Sequence, residues 1–433
     1  MIFNKIESAR REDIQKIQLQ RLKEVVTRVY NLSPFYRKKF DELGITPDDI
    51  KTLEDIQKLP FTKKQDLRDN YPFGLLTVPM SEVVRIHSSS GTTGKPTVVA
   101  YTKHDMDVWD EVMMRCLSMG DVNSKDVCHN AYGYGLFTGG LGFHEAAQKL
   151  GAAIVPASGG FTERQLMLMR DFGATVLFAT PTFALHLAEI ARKEGSEFRK
   201  NYKLRCGFFG AEPTSEGLKK EVANAWEIEY YEVYGLSEII GPGVSCSCNK
   251  GRGLHIQEDH FYPEIIDPKT GEVLPDGEEG ELVLTTLTKQ ALPIIRYRTG
   301  DITKLYREPC ACGRTFVRME SVMGRADDML IINGVNVFPS QIEHVIANTE
   351  GVSLNYQIIA EKKGYLDKLE IMVEVDENIM IDNVGEIERI KKELQNALLN
   401  NLYINAKVIL VEPKTIERSM GKAKRIIDKR NLK

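Results

Sequence analysis

Ala174-Thr175-Val176-Leu177-Phe178 decides the architecture, together with what flanks it. The run is apolar and ends before Thr180-Pro181, so it reads as a buried strand. Residues 183–192 follow at helical spacing. Leu204-Arg205-Cys206-Gly207-Phe208-Phe209 is a second strand, 216–226 a helix, and Ile228-Glu229-Tyr230-Tyr231-Glu232-Val233 a third strand. Upstream, Ala152-Ala153-Ile154-Val155 reads as a strand and 164–172 as a helix. Repeated strand–helix units of this length imply a parallel sheet covered by helices. Ligands in such folds bind beyond the carboxyl ends of the strands. The residues just past those ends are Thr180-Pro181, Gly210-Ala211-Glu212-Pro213 and Tyr234-Gly235-Leu236-Ser237-Glu238, each polar and turn-like.

Outward from this centre the pattern changes twice. The first 80 or so residues read as helical and loop-rich. Ile14, Ile17, Leu22, Val25, Val26 and Val29 recur at helical spacing, and Pro34, Pro47, Pro60, Pro72 and Pro79 punctuate what surrounds them. From Ile265, turn signals (Asp267-Pro268-Lys269-Thr270-Gly271 and Pro275-Asp276-Gly277) separate short β runs such as Glu281-Leu282-Val283-Leu284-Thr285, which suggests an antiparallel, barrel-like section. A polar passage at 324–336 precedes a last segment that reads strand, strand, long helix (384–399) and strand. The expected fold is α/β: a large N-terminal domain of mostly parallel, helix-covered sheets with the barrel-like section, then a small α+β C-terminal domain on a hinge. The expected domains are 1–326 and 327–433.

With 433 residues the chain exceeds one average domain. A net charge of −4 argues against electrostatic nucleic-acid binding. No apolar run approaches the ~20 residues of a membrane span, and Met1-Ile2-Phe3-Asn4-Lys5-Ile6-Glu7 lacks the apolar core of a signal peptide. The expectation is a cytoplasmic protein, in which seven cysteines do not form a disulfide framework. Cys116, Cys128 and Cys206 read as small core residues.

Four motifs carry chemistry. Ser88-Ser89-Ser90-Gly91-Thr92-Thr93-Gly94-Lys95-Pro96-Thr97 follows the strand-like Val83-Val84-Arg85-Ile86. Small residues let the backbone approach a polyanion, hydroxyls and N–H groups donate to phosphate oxygens, and lysine adds a point charge. It is not a Walker loop: only Thr92 and Thr93 separate its glycines, and Pro96 follows Lys95. Tyr297-Arg298-Thr299-Gly300-Asp301 places a carboxylate at a strand-end turn, where it can accept both hydroxyls of a ribose. Gly324-Arg325-Ala326-Asp327-Asp328 puts an arginine and paired carboxylates at the expected domain boundary. Arg418-Ser419-Met420-Gly421-Lys422-Ala423-Lys424-Arg425 is a basic segment near the C-terminus.

Together and in this order, these motifs resemble the acyl-adenylate-forming superfamily of acyl-CoA synthetases, peptide-synthetase adenylation domains and luciferases. Within it, the chain length, Asn130-Ala131-Tyr132-Gly133-Tyr134-Gly135-Leu136-Phe137-Thr138-Gly139-Gly140 and Glu258-Asp259-His260-Phe261-Tyr262-Pro263-Glu264 most resemble the phenylacetate–CoA ligase family. The resemblance implies ATP-dependent ligation of an aryl acid, phenylacetate first, to coenzyme A through an acyl-adenylate, with release of AMP and pyrophosphate. The alternative is an adenylating enzyme for a related aromatic acid that transfers the acyl group to a carrier protein or other acceptor. It implies that Ser88, Ser89, Ser90, Gly91, Thr92, Thr93, Gly94 and Lys95 hold the ATP phosphates, and that Gly210, Ala211, Glu212, Pro213 and Tyr234 line the nucleotide. Asp301 would take the ribose, with Arg325 nearby. Ser237 would touch the α-phosphate, Glu238 would hold Mg²⁺, Asp327 would be the hinge, and Lys422 rather than Lys424 the catalytic lysine. Tyr132, Phe137, Ile240 and Gly241 offer walls for a flat acid, and the resemblance also implies a homodimer.

A further cluster is read from the residues themselves. Cys246-Ser247-Cys248 and His255 precede Cys310-Ala311-Cys312, which Pro309 and Gly313 flank. Soft sulfur and nitrogen ligands in this number suit a structural Zn²⁺. Cys248, His255, Cys310 and Cys312 are the expected ligands, with Cys246 as a substitute.

Overall fold

A nine-stranded sheet frames the larger domain. The computed structural model describes residues 2–88, 96–195, 197–326, 330–332, 335–337, 339–363, 366–379, 384–402, 404–417 and 425–430. Strands Ala153–Val155, Val127–Asn130, Val176–Ala179, Cys206–Gly210 and Glu229–Leu236 lie side by side and parallel. The sheet then reverses: Gly241–Ser247 pairs antiparallel with Glu229–Leu236, and Leu254–Ile256, Arg318–Met319 and Leu305–Tyr306 continue it.

Side-chain alternation along the central strands builds a core on each face. Val176, Phe178 and Phe208 face a cluster with Trp109, Phe143 and Tyr132 from one side. Leu177, Ala179 and Phe209 face a second cluster with Leu187, Leu218 and Trp226 from the other. Burial on both faces is why these strands are apolar throughout. Local signals set the helices that follow. Thr180 accepts a hydrogen bond from Phe183 N and precedes Pro181, opening helix Pro181–Ala191. Ser215 accepts one from Leu218 N, opening helix Glu216–Trp226.

Two expectations change. The strand Val127–Asn130 has no counterpart in the sequence reading, because His129 and Asn130 interrupt its apolar pattern. Both are buried: His129 Nε2 meets Gln165 Oε1, and Asn130 Nδ2 donates to the Gly140 carbonyl. Glu229–Leu236 also runs past Val233, so Tyr234, Gly235 and Leu236 lie within a strand rather than beyond its end. Pairing with Gly241–Ser247 extends it.

A second sheet, Phe261–Ile266, Gly280–Thr286, Tyr297–Thr303 and Gly324–Arg325 in sequence order and all antiparallel, occupies the section expected to be barrel-like. The smaller domain has its own sheet in the order Ala406–Val411, Leu366–Val375, Val352–Lys363 and Ile426–Asp428, backed by helix Val384–Leu402. Its apolar residues Ile358, Ile371, Val373 and Leu398 belong to the same cluster as Phe209 and Trp226. The smaller domain thus packs on the helix layer of the larger one. Among the described residues no helix is long and apolar enough to cross a membrane.

Arg296 joins the N-terminal segment to the second sheet. It is buried, its guanidinium donates to both carboxylate oxygens of Glu264 (3.1 and 2.9 Å), and Nη1 also reaches the carbonyls of Gln57 and Leu59. Replacing Arg296 by methionine strands a buried carboxylate. The expected loss is about 3–5 kcal/mol of unfolding free energy in urea titrations; adding Glu264→Gln should recover part of it.

Candidate functional site

The carboxyl ends of the parallel strands meet the second sheet, and two buried carboxylates mark the junction. Asp301 lies within strand Tyr297–Thr303 rather than in the expected strand-end turn, because pairing with Gly324–Arg325 carries the strand past it. It accepts from the Tyr234 hydroxyl (2.7 Å) and from Arg325 Nη1 (2.9 Å). The pairing of the strands sets this contact, since Asp301 stands directly opposite Arg325 in the antiparallel register. Burial, and then the adjacent carboxylate, push the Tyr234 hydroxyl well above its ordinary pKa, so it stays a donor.

Glu238 lies in the turn after Glu229–Leu236. Its Oε1 accepts from the Tyr297 hydroxyl (3.3 Å) and stands 3.8 Å from Lys64 Nζ. Burial, and then the adjacent Glu238, push the Tyr297 hydroxyl well above its ordinary pKa, so it too stays a donor. Beside Glu238, Ser237 shares a 3.1 Å hydroxyl–hydroxyl contact with Thr138. The group so assembled carries hydroxyls, two carboxylates and two cations, Arg325 and Lys64.

The turn holding Ser237 and Glu238 is fixed from below by Lys289, which the sequence reading missed. This lysine is buried, and its Nζ donates to the carbonyls of Glu238 (3.0 Å) and Ile239 (2.8 Å). It lies 5.1 Å from the centre of the Tyr101 ring. Burial lowers its pKa to about 8. No local signal marked it: Lys289 stands between Thr288 and Gln290, as a solvated lysine would. Tyr297, Lys64 and Thr138 were also not singled out as site residues. They reach the site only through tertiary packing.

Other expected residues sort as follows. Ala211 adopts φ +70°, a strained value for a residue with a side chain, within the turn after Cys206–Gly210. Glu212 accepts from Thr182 N (2.7 Å) and Thr182 Oγ1 (3.0 Å), and Pro213 follows it. Burial pushes the Tyr132 hydroxyl above its ordinary pKa, and its ring stacks on Phe143 at 5.1 Å. Tyr132 and Ile240 are buried, Gly241 abuts Trp109, and Phe137 is 46% exposed. Ser88 ends strand Val83–Ser88 and donates its N–H to the Leu136 carbonyl. Ser89, Ser90, Gly91, Thr92, Thr93, Gly94, Lys95, Asp327 and Lys422 lie outside the described residues.

Apart from this cleft, Cys248, His255, Cys310 and Cys312 gather their ligand atoms within 4.8 Å of one another. The Cys248 and Cys310 sulfurs are 3.6 Å apart, and Cys312 Sγ is 3.4 Å from His255 Nε2. A disulfide needs about 2.05 Å. A tetrahedral metal with arms of about 2.3 Å gives ligand separations near 3.8 Å. The donor set and its spacing therefore fit a metal. Gly251 lets the chain pass, since a Cβ there would lie 2.6 Å from Cys310 Sγ. Cys246 is not part of the group. It is fully buried in the main core with its sulfur 3.8 Å from the Cys116 carbonyl, so its role as substitute ligand is set aside.

Residues 36–287 match the AMP-binding enzyme family, and residues 334–430 match the AMP-binding enzyme C-terminal domain. The chain is 48% identical to the phenylacetate–coenzyme A ligase of Thermus thermophilus, over 98% of each chain. Among solved structures it is similar to 2-hydroxyisobutyryl-CoA ligase in the postadenylation state in complex with R3-HIB-AMP (TM-score 0.92, 29% identity, 98% of this chain and 91% of that one). Against the same ligase with 2-HIB-AMP and CoA in the thioesterification state, the TM-score is 0.72 (30% identity, 99% and 92%).

Replacing Lys289 by methionine leaves the Glu238 and Ile239 carbonyls buried without their donor. The expected cost is about 2–5 kcal/mol of unfolding free energy, read by urea denaturation. Arginine at 289 should not rescue it, because the buried site is shaped for a compact ammonium.

Proposed function

This chain belongs to the phenylacetate–coenzyme A ligase family of AMP-binding enzymes, and from that premise we infer that it ligates an aryl acid to coenzyme A at the expense of ATP, through an acyl-adenylate. Phenylacetate is the proposed acid. The observation that carries the site assignment is the pairing of Tyr234, Asp301 and Arg325 beside the Ser237–Glu238 turn. That arrangement offers a ribose acceptor and a phosphate-facing turn on one cleft wall.

The physical difficulty of the first half-reaction is that a carboxylate must attack the α-phosphate, anion against anion. Asp301 accepts the ribose hydroxyls, its own orientation held by Tyr234 and Arg325. The 210–213 turn lines the base with backbone groups. Ser237 touches the α-phosphate, and Ser88 with Ser89, Ser90, Gly91, Thr92, Thr93, Gly94 and Lys95 cradles the other phosphates. Glu238 would hold Mg²⁺, which supplies positive charge against the triphosphate. Lys422 brings a second cation as charge develops in the transition state. Tyr132, Phe137, Ile240 and Gly241 bound the acid. In the second half-reaction the thiol of CoA adds to the adenylate carbonyl and AMP leaves with the bonding pair. The proposed domains, 1–326 and 327–433, pivot at Asp327 between the two steps. Cys248, His255, Cys310 and Cys312 would hold a structural zinc, which pins strand Leu254–Ile256 to the loop before Arg318–Met319. A cytoplasmic homodimer completes the proposal.

Two measurements test this. Pyrophosphate release is screened over aryl, short-chain and long-chain acids, with and without CoA. Phenylacetate should lead, and acyl-CoA should form only with CoA present. Preference for acetate or long fatty acids would overturn the choice of acid. Lys422→Ala should slow adenylation on the order of 100-fold or more, while a supplied acyl-adenylate is still converted to thioester. Separately, elemental analysis should find about one zinc per chain, lost in Cys312→Ser with a fall in melting temperature. Protein free of zinc after metal-replete preparation would remove the assignment.

A further inference from the structure

The two domains meet where helix Glu216–Trp226 of the larger faces helix Pro339–Ala347 of the smaller, and one carboxylate binds both sides. Glu343 is 3% exposed. Its Oε1 accepts from Ser215 N (3.3 Å), at the start of the larger domain's helix. A carboxylate at a helix N-terminus is favoured by the unpaired N–H groups there. Its Oε2 accepts from the Tyr356 hydroxyl (2.7 Å) and from Arg425 Nη1. Arg425 also lies over the Tyr356 ring, with its guanidinium carbon 4.7 Å from the centroid, and its carbonyl accepts from Ile358 N (2.7 Å). Arg425 stands three positions after Lys422 in the sequence.

The helices touch closely beside this group. A Cβ at Gly217 would lie 2.5 Å from Ala347 Cβ, where carbon atoms normally rest about 3.5–4.0 Å apart. Glycine inside a helix costs stability relative to alanine, so its use here is accounted for by the approach of the neighbouring helix.

We propose that Glu343 is a positioning residue for acyl-adenylate formation: with its carboxylate held by Tyr356 and Arg425 of its own domain, it accepts from Ser215 N of the larger one and so latches the domain arrangement described here. The latch rests on the function assigned above. Its bond across the domain boundary belongs to the arrangement that resembles the postadenylation state. That bond must be given up if the smaller domain turns away for thioester formation. The latch therefore supports one half-reaction and is dispensable in the other.

Glu343→Gln and Gly217→Ala are compared with the unaltered enzyme in two assays. One is pyrophosphate release from Mg·ATP and phenylacetate without CoA; the other is thioester formation from supplied phenylacetyl-adenylate and CoA. Each variant should lose on the order of 10- to 100-fold in the first assay and stay within about 2-fold in the second. Gly217→Ala improves helix propensity but crowds Ala347, so melting curves for both variants separate a loss of folding from a loss of the latch. Equal losses in the two assays, or adenylation at the unaltered rate, would overturn the latch. If the unaltered enzyme releases no pyrophosphate with any acid, the assigned reaction fails, and the latch with it.

Discussion

The strand Glu229–Leu236 has a parallel neighbour on one side and an antiparallel one on the other, and the site depends on that change of direction. A strand within a wholly parallel sheet would send its chain into a crossover helix. Here the chain turns straight back through Ser237, Glu238, Ile239 and Ile240 into Gly241–Ser247. The tight return leaves Ser237 and Glu238 at the sheet's end. The second sheet then closes over the same end and supplies Tyr297 and Asp301.

Such a turn carries backbone carbonyls into an apolar interior, and the molecule satisfies them with a charge. Lys289 does so for Glu238 and Ile239. An ammonium bonded only to neutral carbonyls pays a desolvation penalty, which its lowered pKa reflects. The same logic recurs elsewhere. Arg296 holds Glu264 and two carbonyls under the second sheet, and Arg115 and Arg21 hold Asp259 beside the first. Buried pairs of this kind contribute little net stability compared with apolar replacements. They do fix geometry, since each misplacement leaves a charge unpaired.

The smaller domain is attached by an apolar surface shared with the helix layer and by a compact polar group at Glu343. These two kinds of contact differ in how they tolerate movement. Apolar contact is non-directional and accepts re-docking. The polar group is directional and is satisfied in one orientation only. A domain that is held in one arrangement and released into another, as proposed here, needs both.

The sequence by itself determined the layer architecture, because strands buried on both faces must be apolar throughout and the helices between them must be amphipathic. It also determined the chemistry-bearing turns. Gly210 to Pro213, Ser237 and Glu238 were legible as polar turn residues past strands, and their roles and that of Asp301 through the family resemblance of the ordered motifs; Asp301 itself stands within a strand. The four metal-ligand candidates were legible from residue type, although only packing separated Cys248 from Cys246. What the tertiary structure alone decided were the partnerships. Lys289 is 50 positions from Ile239, Tyr234 is 67 from Asp301 and Glu343 is 128 from Ser215. No local pattern encodes contacts of that span, because they form only when strand register and helix docking bring distant segments together in a place without water.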